Sequence, residues 1–194
     1  MEQITKSSDA LTKKNIINRI SDIPGGVSIV LSTLVVGNIV LEGTPLAAPS
    51  SGKREICKQA KLLAGSTTTV FRVETGTHHF KTGEYIMQAT GGAAYAGTVV
   101  VAAGTANGIT YDTITVGTAL ESGAEGTFIY QSSATGAAAG ALSNVADTII
   151  KEPFEVPATT QVIWMADAHL RADVVEATIG ALYLATLDVN EVKY

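Results

Sequence analysis

Turn-forming residues punctuate this chain from Gly26 almost to its end. Gly43-Thr44-Pro45, Pro49-Ser50-Ser51-Gly52, Ala64-Gly65-Ser66, Gly91-Gly92, Ala106-Asn107-Gly108 and Glu121-Ser122-Gly123 interrupt it at short intervals. Glycine supplies positive φ, proline fixes its own φ, and asparagine and serine bond back to nearby backbone. The segments between them are short and rich in Val, Ile, Thr and Ala, which suits strands better than helices. The pattern predicts strands near 27–36, 38–42, 54–63, 67–74, 84–89, 96–102, 112–117, 126–131, 147–151, 160–166 and 172–186. Strands at this spacing predict an all-β fold, either a β-barrel or a sandwich. In the closing region a helix over 166–178 is the alternative to a long core strand carrying Val174, Val175, Ile179, Leu182 and Leu184.

The chain has 194 residues and 20.0 kDa, enough for one body with its own core. Only 16% of residues are charged, against about 25% in typical soluble domains. The charge is uneven. Residues 1–20 carry Lys6, Lys13, Lys14 and Arg19 against Glu2 and Asp9, a net +2, which leaves −7 for the rest. Within them, Ser8 or Asp9 is a candidate helix cap, and Leu11, Ile16 and Ile20 lie roughly on one helical face. Residues 1–20 therefore read as an N-terminal arm with a helical pattern, and 21–194 as the β body. An acidic body argues against nucleic acid as a partner, because phosphate binding needs a basic face.

The run Val27–Leu41 has no charge and precedes a small-residue stretch, which resembles a late signal peptide. It is too short to span a bilayer as a helix, and Pro24-Gly25-Gly26 and Gly37-Asn38 break it. Two buried strands around a Gly-Asn turn is the better reading, with no membrane partner. Two longer stretches, Tyr85–Thr110 and Gly126–Ala146, also lack charge. Unprotected neutral strands invite edge-to-edge association, so they predict a homo-oligomer, a dimer or trimer. Within the second, residues 132–144 are low-complexity and read as a loop or an oligomer contact.

No constellation for catalysis emerges. Cys57 is the only cysteine, has no histidine nearby and rules out an intrachain disulfide. No Ser nucleophile motif or phosphate-binding glycine loop is present. His78 and His79 are adjacent, so on a strand they face opposite sides, with His78 and Phe80 sharing one. The third histidine, His169, lies two residues after Asp167, the only candidate ligand pair. The reading is therefore no enzyme, with no catalytic, cofactor-binding or metal-binding residues and no cofactor. Lys81-Thr82-Gly83-Glu84 reads as a turn between strands. Tyr85, Tyr95, Tyr111 and Tyr130 are candidates for sugar contact, though each is more simply a strand residue.

Three stretches carry a resemblance: Phe80-Lys81-Thr82-Gly83-Glu84, Asp112-Thr113-Ile114-Thr115-Val116 and Gly126-Thr127-Phe128-Ile129. With 37–46 upstream and 144–156 downstream, they resemble head fiber and capsid-decoration (auxiliary capsid) proteins of tailed phages of Bacteroidales, including the crAss-like group. The resemblance spans residues 37–186 and consists of turns and strand spacing. It implies a β-rich, oligomeric structural protein of the virion, made in the host cytoplasm. It would sit on the capsid surface, bound to the major capsid protein and beside other virion proteins. It supplies no catalytic residues. A tail or neck component and a carbohydrate- or host-surface-binding β module are the alternatives.

Overall fold

The computed structural model describes residues 15–88, 94–106, 109–117, 119–133, 136, 140–158, 163–175 and 179–192. The chain divides into two compact units, Met1–Cys57 with Val145–Tyr194, and Lys58–Asn144. The first unit opens with β1 (Ile16–Asp22), β2 (Val27–Val30), β3 (Ile39–Val40) and β4 (Pro45–Ala47). The second holds β5 (Gln59–Lys61), β6 (Val70–Glu74), β7 (Tyr85–Met87), β8 (Ala94–Ala106), β9 (Ile109–Val116) and β10 (Phe128–Ser132). The first resumes with β11 (Ala146–Ile150), β12 (Phe154–Glu155), β13 (Ile163–Ala166), β14 (Ala168–Val175), α1 (Ala181–Leu184) and β15 (Asp188–Val192). The protein is all-β, as the turn spacing predicts. α1 is the only helix among the described residues, and none is long and apolar enough to cross a membrane.

In the first unit β14 is central. β1 runs antiparallel along one edge. On the other, β11 pairs with Ala168 and His169, and β15 runs parallel to Arg171–Val175. β4 lies beyond β11. Residues 54–57 stitch β2 to β4: Arg54 N–H donates to Ser28 O at 2.8 Å, and Cys57 N–H donates to Pro45 O at 2.9 Å. Val27, Ile29, Leu31, Leu34 and Val40 join Leu46, Ile56, Ile150 and Val156 in one core. The Val27–Leu41 run is thus core sequence. Each such side chain contributes roughly 1.5–3 kcal/mol of burial. Its strands are shorter than expected, because Leu34 N–H turns back to Leu31 O at 2.9 Å and Gly37 has φ 78°.

Two expectations for this unit are corrected. Residues 16–20 are five of the seven residues of β1, paired with β14, so they are neither helix nor part of a detached arm. Three of the five are β-branched isoleucine, which suits a strand, and tertiary pairing overrides the weak helical spacing. The arm's residues 1–14 lie outside the described residues. The long closing strand over 172–186 ends at Val175, and the alternative helix over 166–178 is also wrong, because Ala168–Val175 is strand. A connection through α1, with Ile179 and Tyr183 buried, then carries the chain to β15. Parallel neighbours need such a crossover.

The second unit is one antiparallel sheet in the order β5-β10-β7-β8-β9-β6. It curls until its end strands touch at one bridge, Leu62↔Val73, with Leu63 N–H donating to Arg72 O at 2.8 Å. Alternate residues point inward. Leu62, Phe71, Val73, Ile86, Ile114 and Ile129 meet there, with Phe80 and Leu120 from the connections. The base of the low-complexity segment closes as a hairpin, Ser133 N–H to Ala141 O at 2.9 Å and Ser143 N–H to Gln131 O at 3.0 Å. The division into two units departs from the single β body expected over 21–194. The cause is long-range: Val145–Tyr194 returns to pair with the N-terminal strands.

Candidate functional site

The Lys81–Glu84 turn forms as expected. Glu84 N–H donates to Lys81 O at 3.2 Å, and Gly83 has φ 89° at the third position, where a type II turn needs positive φ. The Glu84 carboxylate does two further jobs. Oε2 accepts the Lys81 N–H at 3.0 Å, and Oε1 holds the buried ammonium of Lys58. The turn that closes the histidine stretch is thereby tied to the start of β5.

His78 and His79 behave differently from the expectation of opposite faces. The connector over 78–81 has no strand, so alternation does not apply, and His78, His79 and Phe80 are all buried. His78 Nε2 lies 3.4 Å from Asp112 Oδ2, which also accepts the Gly76 N–H at 2.9 Å. β9 supplies Asp112 and the turn after β6 supplies Gly76. This polar cluster sits inside the curled sheet's connections as a fastening.

Asp167 and His169 are not brought together as ligands. Asp167 is exposed at the break between β13 and β14, and its Oδ2 faces Lys151 Nζ at 3.6 Å. His169 is buried, with Nδ1 against Asp22 Oδ1, while Lys151 Nζ reaches Asp22 Oδ2 at 3.3 Å. Desolvation raises the Asp22 carboxyl. The Lys151 ammonium and the His169 imidazole outweigh it, and the net shift is downward from the ordinary carboxylate value. Among the described residues no three His, Cys, Asp or Glu side chains converge as a metal site.

Cys57 is buried beside Asp147 and Glu55. Burial, and then these two carboxylates, push its thiol up to about 12. Tyr111 lies under the Arg72 guanidinium, 4.5 Å from its ring centroid, so one ring face is occupied. Tyr130 is buried and stacks on Phe128 with centroids 6.3 Å apart. Tyr85 is half-buried on β7, and the side chain of Tyr95 lies outside the described residues.

Sequence reasoning missed two other fastenings. Arg54 Nη1 donates to Ala47 O at 2.8 Å and Thr148 Oγ1 at 3.2 Å, and pairs with Asp147. Asn15 N–H and Nδ2 donate to Glu42 Oε2 and Glu42 O, each at 2.8 Å. The partners are 93 and 27 residues apart, and no local motif announces them.

The first unit also presents apolar side chains outward. β1 and β14 pair with register shifts on either side of Ser21: Arg19 faces Ala172, Ser21 faces Arg171 and Asp22 faces His169. Ile20 is therefore an extra residue on β1, and Leu170 an extra residue on β14. Bulges re-aim side chains. Ile20 is 46% exposed and Leu170 42%, while His169 and Ala172 beside them are fully buried. Met165, on the preceding strand β13, is 61% exposed. No known protein family, curated protein or solved structure matches this chain.

Proposed function

We propose that this chain is a structural virion protein, a head fiber or auxiliary capsid protein. It sits on the outer surface of a tailed-phage capsid, bound through the major capsid protein, and acts as a homo-oligomer. The observation that carries the reading is the pair of bulges that turn Ile20 and Leu170 outward. A bulge is satisfied by many residue types, so large aliphatics there add nothing to the core and fit contact with another protein. Buried and half-buried charged groups support the same reading. Arg54, Lys58 and Asp112 fasten strands and connections together, as suits rigid cladding that binds through shape and many small contacts. The stretches that resemble head fiber and decoration proteins support it too: 80–84 forms the turn, 112–116 lies in β9 and 126–129 enters β10.

The test is rebinding to capsids stripped of this chain. The natural protein is expected to rebind, and Ile20→Ser with Leu170→Ser to rebind at least about tenfold more weakly while keeping the same thermal unfolding. Failure of the natural protein to bind capsids, or its absence from a map of intact virions, would remove the capsid assignment.

A further inference from the structure

β8 is the longest strand, thirteen residues, and it has two different edges. One pairs with β9 from Gly97 to Ala106. The other pairs with β7 only at Ala94–Ala96. Among the described residues no strand covers that second edge from Gly97 onward. Beyond it, β6 pairs with β9 only at Tyr111–Thr115. The β8–β9 ribbon therefore continues past the sheet, with Gly104–Ala106 and Ile109–Thr110 clear of β6.

Proteins protect such an edge with lysine, proline or an inward charge. β8 has none of these, and no charge or proline occurs anywhere from Tyr85 to Thr110. A register shift between Val100 and Gly104 bends the strand but leaves Gly97–Val100 as a straight run beside β9. Main-chain N–H and C=O groups on that side of the run face no strand among the described residues, and another strand pairs with such groups without side-chain specificity.

We infer that the open edge of β8 pairs antiparallel with the β8 edge of a second copy, making a two-fold dimer. This rests on the homo-oligomeric reading above and names its contact. Charge selects the occupant. The other strands of seven residues or more are β1 with Arg19 and Asp22, β9 with Asp112, and β14 with Arg171 and Asp173. Only β8 meets its equivalent with no charge on either side. The second unit is also nearly balanced, with four Lys and Arg against five Asp and Glu, whereas the first carries nine against thirteen. Two copies therefore meet with least repulsion through the second unit. A two-fold axis makes the contact isologous, so the pairing closes at two chains and does not propagate into fibres.

The experiment measures the mass of the full-length protein by light scattering over a dilution series, beside Thr98→Lys and Val99→Lys. Adjacent strand residues face opposite sides, so one of the two lysines points away from the interior whichever face that is. Lysines from two copies meet near the axis, where like charges oppose pairing. The natural protein is expected at twice 20.0 kDa, and the variant that keeps its thermal unfolding is expected to dissociate at least about tenfold more readily. A natural protein that stays monomeric at micromolar concentration overturns the β8 contact and the solution oligomer together, leaving capsid binding to its own test. A dimer that both lysines leave intact overturns the β8 contact alone and keeps the oligomer. If both variants unfold, amide hydrogen exchange of the natural protein decides. Concentration-dependent protection of Gly97–Val100 supports the contact, and its absence overturns it.

Discussion

His78 Nε2 lies 3.4 Å from Asp112 Oδ2, and both side chains are buried. The same carboxylate oxygen accepts the Gly76 N–H at 2.9 Å. Asp112 therefore joins β9 to the turn after β6 and to the histidine connector. Asp112→Ala removes the acceptor and is expected to destabilise the protein by roughly 1–3 kcal/mol, with Asp112→Asn less costly. Urea unfolding checks this. An alanine variant indistinguishable from the natural protein would show that the cluster is not a fastening.

Arg54 serves β4 and β11 through one nitrogen, donating to Ala47 O and Thr148 Oγ1 and pairing with Asp147. An ammonium does not reproduce a planar guanidinium. Arg54→Lys is expected to cost roughly 1–3 kcal/mol, read as a lower midpoint in the same urea titration. An unchanged midpoint would mean that a simple positive charge suffices.

The Asp22 carboxyl, lowered by Lys151 and His169 against desolvation, links stability to pH. A depressed carboxylate adds stability that is fully present above its unfolded value of about 3.9 and is lost as pH falls through the folded value. Asp22→Asn is expected to be less stable than the natural protein at neutral pH, with the difference vanishing in strong acid. A difference that stays constant between neutral and strongly acid solution would detach Asp22 from the acid limb.

Cys57 is buried, and its thiol is pushed up to about 12. The thiolate is the reactive form. Ellman's reagent at mildly alkaline pH is expected to label the native protein only as fast as it opens, and the urea-unfolded protein at once. Immediate stoichiometric labelling of the native protein would contradict the burial.

Deleting residues 1–20 removes Asn15, with its two hydrogen bonds to Glu42, and five of the seven residues of β1. The truncated chain is expected to lose several degrees of thermal stability or to fail to fold, because β14 loses the partner along one edge. Unchanged unfolding of this deletion would return residues 16–20 to the arm.

The sequence by itself determined the class of fold and many of its turns. Gly83 fixes the turn at 81–84, and Gly37 punctuates the Val27–Leu41 run, because positive φ is a local demand that a single residue type answers. Phe71 and Val73, two residues apart, share one buried face of β6, as strand alternation requires. Tertiary structure alone decided what is distant in sequence. The return of 145–194 to the N-terminal strands made two units where the local pattern offered one body. It also turned residues 16–20 into strand, since a sheet edge outweighs a weak helical period. The inward placement of His78 goes with Asp112 arriving from β9, and that of His78 and His79 together with a connector that has no strand to impose alternation. Ile20 and Leu170 are exposed at the positions where β1 and β14 pair out of step. Local residues set φ and face, whereas register and partner are settled between segments that meet only in the folded chain.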